Sequence, residues 1–171
     1  MGGHPLTDAL ALRIMQKIVA AFLLSLSMQY AFSAEKYGLY VNERYGYSVE
    51  YLKKLIPQGA SDNGDGQIFR SKSGAAELRV FARSCIEGLD DTPDKYIATT
   101  LADKKTGRLK VKYQKSGKSS AVLSGFKNGR TIYKKLLLKD GWCIELNFSY
   151  PNREKATYDR ATERISASFT R

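Results

Sequence analysis

The residues most able to do chemistry are Cys85 and Cys143. In an exported chain such a pair reads as a disulfide. The bridge would close a loop of about sixty residues, worth roughly 3–4 kcal/mol in a chain-entropy model whose mechanism is disputed. The other reading is a reactive thiol. A thiolate needs a neighbour that lowers its pKa, and the only histidine, His4, stands in the N-terminal segment. The same absence removes Ser-His and Cys-His pairs, an imidazole general base and a His-ligated zinc from the rest of the chain.

Asp62-Asn63-Gly64-Asp65-Gly66 sets two carboxylates on a glycine-rich segment. An EF-hand alignment gives Ser61 the first position and Lys72 the place of the bidentate glutamate. The segment therefore reads as a turn between strands, with Asp62 and Asp65 left as weak calcium ligands or as the carboxylates of a secreted hydrolase. The hydrolase needs acids that converge in a concave pocket. Ser61-Asp62-Asn63, Lys105-Thr106-Gly107 and Ser124-Gly125-Phe126-Lys127 spell three signatures of penicillin-binding enzymes. Their order is wrong, and Ser124 falls on an expected strand where that chemistry needs a helix start.

From Lys104 to Lys139 twelve basic residues stand without an aspartate or glutamate. Residues 34–171 hold 26 basic and 16 acidic side chains, and this stretch contains the whole excess. On one reading the lysines are the polar positions of strands and protect a sheet edge from aggregation. On the other they form a basic face for an anionic partner, with Arg108, Lys110, Lys112, Lys134 and Lys135 as the contacts. Candidate partners are an acidic protein surface, membrane phospholipid or lipopolysaccharide, or an acidic wall polymer. Tyr113 and Tyr133 among lysines could stack on single-stranded nucleic acid, but export argues against that partner.

The elements that position these groups follow from periodicity and punctuation. Arg13 and Lys17 precede an apolar run at 18–26, and small residues Ala31 and Ser33 follow. This is a signal-peptide pattern covering 1–33, cut after Ser33 or one residue later, with Met15 as an alternative start. The run is too short for a membrane span, which needs about 20 residues. The remaining 138 residues suit one domain. Period-two alternation predicts strands at 45–51, 67–71, 75–85, 109–113, 119–126, 130–139 and 142–150, with a short one at 38–41. Residues 53–57 break the pattern. Asn128-Gly129 and Asp140-Gly141 mark hairpins. Thr92, Pro93 and Asp94 open a helix with Ile97 and Leu101 inward, closed by Lys104, Lys105 and Gly107. Asn152 is expected to cap a last helix with Tyr158, Ala161 and Ile165 inside, and 166–171 to add a short strand. Trp142 is expected in the core.

The fold class is α+β, a mostly antiparallel sheet with two helices. Tyr45-Gly46-Tyr47-Ser48-Val49-Glu50-Tyr51, Asp62-Asn63-Gly64-Asp65-Gly66, Phe69-Arg70-Ser71, Ser73-Gly74-Ala75 and the closing Arg164-Ile165-Ser166-Ala167-Ser168-Phe169 resemble bacterial exported domains of the PsbP/Mog1 kind. The resemblance covers both ends of the domain and leaves its middle unmatched. It implies an α/β/α sandwich used to bind other proteins, often as an accessory subunit. It supplies no catalytic set, and the metal sites of some members use histidine. The expectation is an exported, periplasmic or secreted binding protein without cofactor. The alternatives are the hydrolase and an envelope immunity or inhibitor protein.

Overall fold

The computed structural model describes residues 14–19, 36–103 and 109–170. The chain divides into units 1–37 and 38–171. Residues 14–19 are helical and exposed, and among the described residues no helix is long and apolar enough to cross a membrane. The expected cleavage point at Ser33 lies outside the described residues.

Strands β1 (Tyr37–Asn42) and β2 (Tyr47–Leu52) form a two-stranded sheet. Strands β3 (Leu55–Ala60), β4 (Gly66–Ser71), β5 (Glu77–Ser84), β6 (Lys110–Ser116), β7 (Ser120–Lys127), β8 (Arg130–Lys139) and β9 (Trp142–Pro151) form a seven-stranded sheet. Its order is β3-β4-β5-β9-β8-β7-β6, antiparallel throughout. Helix α1 (Pro93–Ala102) links β5 to β6, and helix α2 (Lys155–Ser168) follows β9 after a 3₁₀ turn. The helices take opposite faces, α1 over β6–β8 and α2 over β8–β9 beside β2.

Alternation explains which face each strand buries. Leu78, Val80, Ile144, Leu146 and Phe148 are fully buried under α2, whose inner residues are Tyr158, Ala161, Thr162 and Ile165. Tyr47, Val49 and Leu52 complete that core. The α1 face holds a smaller one: Tyr96, Ile97, Ala121, Leu136 and Cys143. At full burial each large apolar side chain is worth about 1.5–3 kcal/mol, so the α1 side has less to hold it and depends more on covalent and polar ties.

Local chemistry sets the ends. Thr92 Oγ1 accepts from the Lys95 amide at 3.3 Å, and Pro93 opens α1. Asn128 (φ 48°) with Gly129 (φ 72°), and Asp140 (φ 50°) with Gly141 (φ 79°), adopt the paired positive φ of type I′ hairpins. Several expectations differ from the structure. Residues 55–60 are a strand with only Leu55 buried; Pro57 is tolerated because β3 is an edge. Leu101 is exposed because α1 ends at Ala102 with Asp103 as its cap, and Lys104, Lys105 and Gly107 lie outside the described residues. Asn152 does not cap α2; its Oδ1 accepts from Thr131 at 3.0 Å. Trp142 sits at the rim, 37 % exposed, edge-on to Tyr45. The terminal strand reduces to one bridge, Thr170 to Ser48.

Candidate anion-binding face

Strand β6 is the free edge of the large sheet, and each of its seven residues is exposed. Its register with β7 pairs Lys110 with Phe126, Val111 with Gly125 and Tyr113 with Ser124, so one extra residue sits between 111 and 113. A bulge of this kind sends two consecutive side chains to one side. Lys110, Lys112, Tyr113 and Lys115 therefore share the α2 face of the edge. None of the three lysines makes an ion pair among the described residues. Gly125 makes the close approach possible: a Cβ there would overlap the Lys110 backbone.

Behind the edge lies a groove of about 700 Å³ between β6–β8 and α2, lined by Lys112, Tyr113, Phe126, Tyr133, Lys155 and Glu163, among others. Phe126 has Lys155 Nζ 5.0 Å and Lys112 Nζ 5.9 Å from its ring centre, within cation–π range. Lys155 also pairs with Asp159 at 2.9 Å. The groove thus offers cations and aromatic surface together, with Asp159 and Glu163 on its helix side.

The five expected contacts do not share one face. Lys134 and Lys135 point to opposite sides of β8. Lys135 Nζ donates to the carbonyls of Ser166 at 2.7 Å and Phe169 at 3.2 Å, closing the end of α2. Burial pulls its pKa down. It is a structural cap on the groove's inner wall. Tyr133 is held beside it by Ser166 at 2.5 Å, and burial pushes the phenol up. Lys134 faces the α1 side. Arg108 lies outside the described residues. Lys155 and Phe126 are not among the expected site residues: α2 begins at Lys155, far in sequence from the end of β6 at Ser116, and no local pattern signals that its first turn lands beside Phe126.

A seven-stranded antiparallel sheet with one helix on each face is the arrangement that decides the comparison. A solution structure of cyanobacterial PsbP (CyanoP) from Synechocystis sp. PCC 6803 is similar in fold, with a TM-score of 0.57 and 18% identity over 79% of this chain and 92% of that one. The fold is PsbP-like. No family model matches the chain, and no curated protein matches it in sequence.

Within the PsbP-like fold the remaining candidates take definite places. Cys85 and Cys143 form the disulfide, with Cα atoms 5.1 Å apart on the α1 face, inside the range such bridges need. A disulfide suits an oxidising compartment. The sulfurs lie near the Asp90 carboxylate but are spent on each other. Beside them Arg83 donates to Asp90 at 2.6 Å and to Glu145 at 2.7 Å. Desolvation pulls the guanidinium down, and the two carboxylates outweigh it, leaving it above its usual value. Tyr96 donates to Glu145 at 3.1 Å.

Asp65 accepts from Ser61 at 2.6 Å and from Asn63 at 3.0 Å, so both its carboxylate oxygens serve the turn. Asp62 is exposed. The cleft beside the turn, about 400 Å³, contains one acid, Asp65. Ser124 and Lys127, three apart on a strand, point to opposite faces, so they cannot act as a nucleophile with its base. Lys105-Thr106-Gly107 lies outside the described residues.

Proposed function

We propose that this chain is an exported, non-enzymatic binding or accessory protein that docks through edge strand β6 onto an acidic surface of a partner protein. The carrying observation is that Lys110, Lys112 and Lys115 project from one face of a wholly exposed strand with no carboxylate paired to them among the described residues. Lys155 and the Phe126 ring extend that surface into the groove. The leader-like N-terminus and the disulfide support export. The likeness to PsbP supports an accessory role rather than catalysis. Asp65 is tied into its turn, which favours this reading over a hydrolase.

Acidic polypeptide supplies the test. Binding of fluorescent polyglutamate should weaken steeply between about 0.01 M and 1 M salt, as the screening length falls from roughly 30 Å to 3 Å. Lys110→Glu with Lys112→Glu should weaken it at least tenfold at low salt, about 1.4 kcal/mol or more. Salt-insensitive binding, or full binding by the double variant, would refute the proposal.

A further inference from the structure

We infer that the opposite, α1 face of the sheet carries a second site, a pocket that receives the free carboxy terminus of a peptide. Across three neighbouring strands Arg79 stands opposite Asn147, and Asn147 opposite Lys134. Side chains in such a row are neighbours about 5 Å apart, so an amide is bracketed by two cations. Helix α1 lies over β6–β8 and leaves β4 and β5 open, so this row borders an open pocket of about 390 Å³. Glu77, Ser149 and Ile132 form the adjoining wall, with Leu109 nearby. The next row is hollow because Ser149 and Gly125 carry little side chain.

Charge selects an anion. Lys134 makes no ion pair among the described residues. Arg79 reaches Glu77 only at 3.5 Å, while that carboxylate is held closely by Arg70 at 2.8 Å. The amide narrows the choice. Asn147 Oδ1 is buried and has no donor among the described residues, and a buried acceptor left in that state is costly to the fold. A ligand that meets both demands has a carboxylate next to an N–H, as the last residue of a peptide does. Sulfate brings no donor, and phosphate brings only an O–H on the anion itself, not an N–H set beside it. Once Arg79 and Lys134 turn onto the carboxylate, the Asn147 amide turns with them so that its enclosed Oδ1 accepts the terminal N–H, and the last side chain rests on Ile132 and Leu109. This pocket is on the other side of the sheet from Lys110 and Lys112, so it stands or falls independently of the docking edge.

Acetyl-Ala-Ala-Leu as the free acid, the same peptide amidated, and acetate alone separate the possibilities by NMR titration. At about millimolar peptide the free acid should shift the Asn147 side-chain amide and the Arg79 Nε resonances, with the amidated form at least about tenfold weaker. Arg79→Met and Lys134→Met should each weaken the free acid by about fivefold or more, and both sites are open enough to leave the fold intact. Asn147→Leu should lose the preference for peptide over acetate yet raise Tm by about 3 °C, since an orphaned acceptor is removed. Equal binding of acid and amide, equal binding of acetate and peptide, or a lower Tm for Asn147→Leu would overturn the inference.

Discussion

Replacing Arg83 with methionine should cost stability because it strips two buried carboxylates of one shared cation. In the wild type one guanidinium serves two buried carboxylates, Asp90 and Glu145, whose side chains are 8% and 7% exposed. Each carboxylate also accepts from a second donor. Asp90 Oδ1 takes the Ile86 amide at 2.6 Å, and Glu145 Oε2 takes the Tyr96 hydroxyl at 3.1 Å. The variant leaves both acids in place without their shared cation. Breaking a buried pair in this way costs about 3–5 kcal/mol. Arg83 itself is 32% exposed, so water relieves part of the penalty and the lower figure, about 3 kcal/mol, applies. For a domain of this size that is a fall in Tm of roughly 9 °C. Urea unfolding of both proteins at pH 7 measures it, read as the difference in unfolding free energy. A loss below about 1 kcal/mol at pH 7 would refute the reasoning.

Three further outcomes are expected. Cys85→Ala with Cys143→Ala opens a loop of sequence separation 58 and should lower unfolding free energy by about 4 kcal/mol; a denaturant titration within about 1 kcal/mol of wild type would contradict it. Burial holds the phenols of Tyr47, Tyr96 and Tyr150 above their ordinary value. Their folded pKa exceeds the unfolded one, so their stabilisation is complete below about pH 10 and falls beyond it, by up to about 1.4 kcal/mol per pH unit for each. Lys135, pulled down by burial, acts the other way, but one amine cannot offset three phenols; a Tm that stays flat to about pH 11 would be inconsistent with this. Gly125→Ala should cost about 1–3 kcal/mol through overlap with the Lys110 backbone and loosen β6, read as faster amide exchange at Tyr113 and weaker polyglutamate binding. Unchanged exchange would show that β6 is not held by that approach.

Much of the fold was legible because one-sided burial writes a period of two. The β5 alternation, both hairpin dipeptides and the Thr92-Pro93 start of α1 are local signals, and the structure reproduces them; β9 keeps the expected parity but is buried on both faces from Cys143 to Leu146. Strand β3 was invisible for the converse reason. It is an edge with one buried residue, so it imprints no alternation. Trp142 misled because its parity is that of the core while its position lies past the core's end, against Tyr45. The lysines were legible as an excess but not as a surface. A bulge at Lys112 changes which residues share a side, and no residue type announces it. Lys135 resembles its neighbours in sequence, yet it is consumed by the end of α2. Arg79, Asn147 and Lys134 come from three strands that only tertiary pairing aligns.

The strand order has a consequence for how the chain becomes a domain. β3-β4-β5 and β6-β7-β8-β9 are two meanders, each built from neighbours in sequence, and they meet at a single seam where β9 lies against β5. Until the chain has been supplied as far as residue 151, the first meander has nothing to close on. Arg83 and Glu145 span that seam, and the Cys85–Cys143 bond staples its end. Oxidation there would turn the most distant pairing in the large sheet into a permanent one. A chain delivered unfolded across a membrane and oxidised on the far side would thereby be fastened at the place where its two halves could otherwise part.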